Sequence, residues 1–190
     1  MSPVTHLLLG WLVANTTEQN NRRERTLIAI AGVIPDIDGL GIIADVITRQ
    51  TASPTNWFSD YHHIFGHNLG FAIFVSLSGF LLARRKWLVA SLMVVSFHMH
   101  LLGDLAGSRS PDGYQWAIPY LLPFSNAWQL TWQGQWQLNA WQNFVITGVA
   151  LALTFTFAIK RGYSPVEIFS PRADKLFIAT LRKRFQKSQG

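Results

Sequence analysis

The sequence predicts a mainly α protein: an integral membrane helical bundle of about five helices, with a Trp/Gln-rich hairpin or loop insertion and a basic C-terminal helix. Three observations predict it. Only 14% of the residues are charged while 49% are hydrophobic, against about 25% charged in an ordinary soluble domain. Three runs, Leu69 to Ala83, Trp87 to Leu102 and Phe144 to Ile159, contain no Asp, Glu, Lys or Arg. At roughly 15 to 17 residues they reach or approach the length of a spanning helix. Basic residues collect at the turns between apolar runs, as Arg22, Arg23 and Arg25, as Arg84-Arg85-Lys86, and as Lys160-Arg161. The competing reading, buried helices of a soluble bundle, draws on a mean hydropathy only slightly above zero.

The length suits one domain, with residues 1–165 as the membrane bundle and residues 166–190 as a basic amphipathic tail. Val4 to Ala14 comes first. It lacks a basic leader and a small-residue cleavage site, so it is expected to stay in the protein rather than leave as a signal peptide. At about 11 residues, roughly 16 Å of helix, it covers half a hydrocarbon core. The second run, Thr26 to Ile34, leads into Pro35-Asp36-Ile37-Asp38. Both are read as buried, tilted or half inserted. Residues 64–83 then run to Arg84-Arg85-Lys86, and residues 87–104 return. The positive-inside rule assigns the basic turns to the cytoplasmic side.

Between Ser108 and Asn143 the helical pattern breaks at Pro111, Pro119 and Pro123. Trp128, Leu130, Trp132, Trp136 and Leu138 alternate with Gln129, Thr131, Gln133, Gln135 and Gln137, which favours a hairpin turning near Gly134. An interfacial helix competes, because Trp128, Trp132 and Trp136 also recur every fourth residue. In either form the tryptophans suit a membrane–water interface. The tail carries Leu176, Phe177, Leu181 and Phe185 among Arg172, Lys175, Arg182, Lys183, Arg184 and Lys187. A cationic helix on an anionic leaflet and a frayed solvated tail both fit that pattern. No nucleic-acid-binding motif accompanies the charge, so nucleic acid is the weaker partner. Nothing in the sequence bears on oligomeric state.

All six histidines fall in three short clusters: His6, then His62, His63 and His67, then His98 and His100. Traced through the bundle, they gather with Asp36, Asp38 and Asp104 at the end opposite the basic turns. His63 with His67, and His100 with Asp104, are four residues apart, a spacing that puts both members of a pair on one helix face. Imidazole and carboxylate hold zinc or manganese, and an ionisable Asp104 within an apolar run is costly unless paired or neutralised. Each group also has a plainer reading. His100 and Asp104 suit a hydrogen-bonded couple, and Asp36 and Asp38 suit helix caps. His6 follows Thr5, a plausible cap. Extended geometry would put both aspartates on one face. His98, two positions from His100, faces elsewhere and reads as packing or outer support.

Eight possible ligands exceed the three or four that one catalytic zinc needs, which suggests two or more metals or a well-supported single one. A two-metal centre suits phosphodiester hydrolysis. Cysteine is absent, which excludes disulfides and thiolate ligands. Neither G-x-S-x-G nor H-E-x-x-H occurs, so serine-hydrolase and zincin chemistry lose support.

The stretches Pro3-Val-Thr-His-Leu-Leu-Leu-Gly10, Gly32-Val-Ile-Pro-Asp-Ile-Asp38, His62 to His67, His100-Leu-Leu-Gly-Asp104 and Leu121-Leu-Pro-Phe-Ser125 resemble the YdjM-like family of bacterial inner-membrane proteins, described as membrane-bound metal-dependent hydrolases. The third motif departs from the family's H-R-G-x-T-H-S, having His63 for Arg, Gly66 for Thr and Asn68 for Ser. That family is in turn similar to zinc-dependent phospholipases C and single-strand-specific zinc nucleases, whose His-x3-Asp pair His100 and Asp104 match. The resemblance implies a multi-pass protein of the bacterial inner (plasma) membrane. It also implies His6, Asp36, Asp38, His62, His67, His100 and Asp104 as ligands of a divalent metal, zinc or alternatively manganese.

The expected function is hydrolysis of a phosphoester, such as a phospholipid headgroup, by metal-activated water on the outer side of the membrane. An unligated member of His62, His63 or His98 would move protons, with His63 and His98 the catalytic candidates. The alternative is a membrane metal-binding or transport protein without hydrolytic activity.

Overall fold

The computed structural model describes residues 1–18, 21–110 and 113–185. Pro111 and Lys187 lie outside the described residues. Eight α-helices are present among them: α1 (Pro3–Ala14), α2 (Arg22–Ala31), α3 (Gly41–Thr48), α4 (Trp57–Tyr61), α5 (Leu69–Leu82), α6 (Lys86–Gly107), α7 (Trp141–Arg161) and α8 (Pro171–Phe185). Short 3₁₀ segments cover Ile34–Leu40 and Pro165–Ile168. The expected count of about five falls short mainly because α3 and α4 fill the stretch between Asp38 and His62. Their 8 and 5 residues are too few for a periodic signal.

Local chemistry sets several boundaries. Ser2 caps α1 by accepting the Thr5 N–H, with Pro3 at the first helical position. Asn21 and Asn68 cap α2 and α5 in the same way. Gly162, at φ 82°, ends α7 in the left-handed conformation that glycine adopts at no steric cost.

Helices α1, α2 and α6 form the centre. Gly10 and Gly32 let α1 and α2 approach closely beside Ser96 of α6. A Cβ on Gly10 would stand 2.7 Å from the Ala29 carbonyl oxygen, and one on Gly32 would stand 2.7 Å from Ser96 Oγ. Trp11, Ile28, Val89 and Phe97 are fully buried around this crossing. At the basic end, Glu24 Oε1 accepts the backbone N–H groups of Arg84 (2.8 Å) and Arg85 (3.0 Å). That contact holds the Arg22–Arg25 and Arg84–Lys86 turns together. His100 lies 14 residues along α6 from Lys86, about 21 Å away, so the histidines and the basic turns occupy opposite ends of the bundle.

Helices α6 and α7 are long and apolar enough to cross a membrane; α2 and the segment 34–48, bent by 53° relative to one another, add a third span if counted together. Helices α1 and α5 are apolar but shorter. The outward surfaces of α5 and α7 leave Phe74, Leu77, Phe144, Val149 and Leu153 exposed, as suits lipid-facing helices.

The Trp/Gln-rich stretch is not a hairpin. No strand forms among the described residues, and Leu130 pairs instead with Ile118 through two backbone hydrogen bonds of 2.8 and 3.0 Å. A turn does occur at Gln133-Gly134, but Trp136 and Leu138 beyond it bond to Ala106 and Arg109 at the end of α6. The alternation is satisfied by packing against earlier chain rather than across its own turn. Helix α8 sets Ile178 and Leu181 against Ala158 of α7, and Asp174 accepts the Ser164 N–H at 2.9 Å.

Candidate metal centre

Three chain segments meet at the end of the bundle remote from the basic turns. The 3₁₀ segment carries Asp36 and Asp38, the loop between α4 and α5 carries His62, His63 and His67, and α6 carries His100 and Asp104. Asp36, His67, His100 and Asp104 each offer a ligand atom, and these atoms lie within 4.8 Å of one another. His67, His100 and Asp104 are buried, and Asp36 is half-buried.

The ring tautomers follow from their partners. His100 Nδ1–H donates to the Gly32 carbonyl at 2.9 Å, and a carbonyl can only accept. His67 Nδ1–H donates to Asp38 Oδ2 at 3.1 Å. When neutral, both rings therefore present an Nε2 lone pair, and these two atoms stand 3.0 Å apart. Asp104 Oδ2 adds further negative charge, 3.0 Å from His100 Nε2 and 3.3 Å from His67 Nε2. Such a cluster repels itself unless a positive charge lies within it. Two imidazole nitrogens and two carboxylates are a donor set that fits zinc or manganese.

Without a cation, a proton can take that place. Burial opposes charge on His67, but the hydrogen-bonded carboxylates of Asp104 and Asp38 outweigh it and raise its pKa to about 9. In chelator-treated protein His67 therefore contributes stability that is full below its ordinary value of 6.5 and fades as pH climbs toward about 9. The melting-temperature advantage of chelated wild type over His67→Gln should shrink across that window. An advantage that grows with pH would contradict the assignment.

Asp38 and His62 stand one layer out. A 3₁₀ helix turns about 120° per residue, so Asp36 and Asp38 diverge instead of sharing the face that extended chain would give them. Both Asp38 oxygens are occupied: Oδ1 accepts from His62 Nδ1–H at 2.8 Å, and Oδ2 accepts from His67 and from the Gly66 N–H at 3.0 Å. Asp38 fixes the tautomer and plane of His67, the support that ligating histidines usually receive. Asp38→Asn cannot accept all three bonds. Metal affinity should fall about 10–100-fold in a protein that still folds, measured by competition with a chelating dye.

His6 approaches from α1. Its Nε2 is 3.1 Å from Asp104 Oδ1, its ring packs on His100 with centroids 3.8 Å apart, and its Nδ1 is buried with no partner among the described residues. The amino group of Met1 also bonds Asp104 Oδ1. Asp104 is thus shared, with one oxygen toward His67 and His100 and the other toward His6.

His63 is buried at φ 71°, a left-handed conformation uncommon outside glycine. Its Nε2 is 3.8 Å from Asp104 Oδ2, and its Nδ1 has no partner among the described residues. Burial, and then the neighbouring His67, hold its pKa well below the usual imidazole range, which favours the neutral ring.

His98 is placed apart from the cluster. Two positions from His100 is about 200° around the helix, and there His98 donates to the Val94 carbonyl at 2.8 Å and pairs with the Tyr120 hydroxyl at 2.8 Å.

A cavity of about 190 Å³ opens on the cluster, lined by Asp36, His62, His63 and Asp104 and walled by Phe58, Trp116 and Leu138. A second of about 320 Å³ shares His62 and Trp116 and adds Ser59, Asp60, Tyr114, Asn126 and Gln129. Sequence reasoning missed Phe58 and Trp116, because neither a five-residue helix nor an irregular segment carries a periodic signal. It also missed Gln135, whose buried amide donates to the Asp104 backbone carbonyl at 2.9 Å; its polar character within an alternating run reads as solvent-facing.

The family described as YdjM inner membrane protein matches residues 1–171. No curated protein and no solved structure matches the chain.

Proposed function

From the premise that the chain belongs to the YdjM inner membrane protein family, we propose that it is a membrane-bound metal-dependent hydrolase that cleaves a phosphoester, such as a phospholipid headgroup linkage. The observation that carries the reading is the pair of inward-facing Nε2 atoms, 3.0 Å apart, held beside Asp36 and Asp104, which line a cavity. A divalent cation held there, zinc or else manganese, would supply a lowered water pKa and charge stabilisation at a phosphoryl oxygen. His6 Nε2 and Asp104 Oδ1, 3.1 Å apart, would serve a second cation at the same centre in place of the Met1 ammonium that meets Oδ1.

The chain's own residues would do the rest. Asp38 keeps His67 oriented, and the Gly32 carbonyl keeps His100 oriented. His63, neutral and at the cavity wall, would accept or return a proton. His62 and Trp116, common to both cavities, would border the substrate. His98 faces Tyr120 rather than the cavity, so its part would be to hold the loop around Pro119 against α6. The positive-inside rule places the basic turns in the cytoplasm and the centre on the outer side.

A transport reading has less support. Trp11, Ile28 and Phe97 fill the bundle between the cluster and the basic end, where a transported ion would need a path.

Metal analysis of purified protein tests the premise, with one or two equivalents of zinc or manganese expected. Release of phosphate or diacylglycerol from a panel of bilayer phospholipids tests the chemistry. Metal-free protein of full stability would overturn the centre, and bound metal with no turnover on any phosphoester would favour transport or storage.

A further inference from the structure

The stretch between the two ligand-bearing segments is a small helical hairpin, α3 and α4, that stands beside the metal centre. No residue of α3 is buried. Ile42, Ile43, Val46 and Ile47 are 50–71% exposed, and they fall within one arc of roughly 140° around the helix. Leu40 before them is exposed as well, as are Trp57 and Tyr61 on α4. Water would make such a face unfavourable at about 25 cal/mol per Å² of apolar surface, and a patch of this kind marks a surface with a partner.

The charges in the hairpin are arranged to leave that face bare. Asp45 is turned inward, where Oδ1 accepts from the Thr55 hydroxyl at 2.9 Å and the Trp57 N–H at 2.7 Å, and Oδ2 accepts from the Phe58 N–H at 2.9 Å. These bonds staple α4 to α3. Gly41 permits the close approach, since a Cβ there would stand 2.8 Å from the Trp57 carbonyl carbon. The connecting tip, Arg49 to Asn56, is exposed except for half-buried Thr55, and has no aliphatic residue larger than alanine or proline. An aliphatic flank, two aromatic residues and a polar, cationic tip are the profile of a segment lying at a bilayer interface.

We propose that the α3–α4 hairpin is an interfacial anchor that seats the mouth of the metal centre in the outer leaflet, so that the site takes an amphiphilic substrate sideways from the bilayer. Lipid is the occupant because α6 and α7 are long and apolar enough to cross a membrane, and because the exposed Tyr61 ring of α4 packs against exposed Phe65, centroids 5.5 Å apart, beside exposed Ile64. Phe58 of α4 is both a wall of the cavity over the cluster and the residue whose ring stacks on His62, centroids 4.7 Å apart. The depth of the hairpin therefore sets the depth of the opening. The substrate half of this proposal rests on the hydrolase reading; the anchor half does not.

Two measurements separate those halves. The chain has no cysteine, so Ile47→Cys in the full-length protein can carry a single bimane label. In vesicles of phosphatidylethanolamine and phosphatidylglycerol, doxyl groups on the upper acyl chain should quench the label strongly and iodide in the buffer weakly. The reverse pattern would overturn the anchor. So would disulfide cross-linking of two chains through the introduced thiol without lipid quenching, which would make the face an interface between copies. Second, Val46→Ser with Ile47→Ser should lower hydrolysis of a bilayer phospholipid at least tenfold and leave a water-soluble p-nitrophenyl phosphodiester unchanged. Equal loss on both substrates would overturn lateral delivery. If wild-type protein hydrolyses neither while the label is quenched by lipid, the hydrolase reading fails and the anchor stands.

Discussion

Asp104→Asn is expected to abolish metal binding, lowering the metal content of purified protein below a tenth of the wild-type value. This side chain lies 3.0–3.3 Å from ring nitrogens of His6, His67 and His100 and also meets the Met1 amine. Asparagine keeps the volume but presents at most one acceptor, and its amide N–H groups would point at nitrogens that should face a cation. The loss should exceed the roughly 10–100-fold that follows removal of an outer partner such as Asp38, and hydrolysis should vanish with it. Asp104→Ala adds a stability cost. In chelated protein it leaves buried imidazoles without their counter-charge, and breaking a buried pair from one side costs about 3–5 kcal/mol. Metal retained by either variant at wild-type stoichiometry would show that Asp104 is a structural acid, and the four-ligand assignment would then be wrong.

Gly66→Ala should be nearly as damaging without touching a ligand. A Cβ on Gly66 would overlap the Pro35 carbonyl, the point where the histidine loop rests on the aspartate-bearing 3₁₀ segment. Both are backbone, so no side chain can swing aside. The Gly66 N–H bond to Asp38 is made at the same place. Overpacking of this kind costs typically about 1–3 kcal/mol, and the shift would carry His67 away from His100. Melting temperature and metal content should fall together. Gly148→Ala is the control, since a Cβ there meets nothing within 4 Å on the exposed side of α7. It should leave both unchanged or raise stability slightly, because alanine is the better helix former. Equal behaviour of the two variants would remove the clamp from the account.

Part of the centre was legible because His100 and Asp104 obey helical arithmetic, whereas His63 and His67, also four apart, lie in a loop where that spacing does not apply. His100 and Asp104 are four apart on one continuous helix, and the basic turns fixed which ends of the runs belong together. The aspartates were read from the wrong backbone geometry. Pro35 suggests an extended break, but the chain tightens into a 3₁₀ segment, and that rotation separates Asp36 from Asp38. His62 and His67 looked equivalent by motif. Only three-dimensional structure shows that both rings bind Asp38 and that His67 alone carries its Nε2 lone pair onward to His100 and Asp104.

The Trp/Gln alternation illustrates a different limit. Period-two patterning identifies extended chain but does not name its partner, and here the partners are Ile118 and the end of α6. Helices α3 and α4 were invisible for lack of length, and the Gly66 contact for lack of any side chain to read.

The bridge from Arg25 to Glu167 gives the fold a temporal order. Arg25 on α2 donates to both Glu167 oxygens, across a separation of 142 residues, with its guanidinium stacked on Tyr163. Thr5 and Thr147 share a hydrogen bond across the same span of chain, and Asn143 reaches the Gly107 carbonyl. A ribosome working at about 5–20 residues per second delivers these closing residues several seconds after the last of His6 to Asp104 has been made. A nascent chain thus carries every ligand, on directly packed α1, α2 and α6, before it owns the ties from α7 and Glu167 that brace them. Translational arrest before residue 143 should release a protein with a complete ligand set and an unfastened frame.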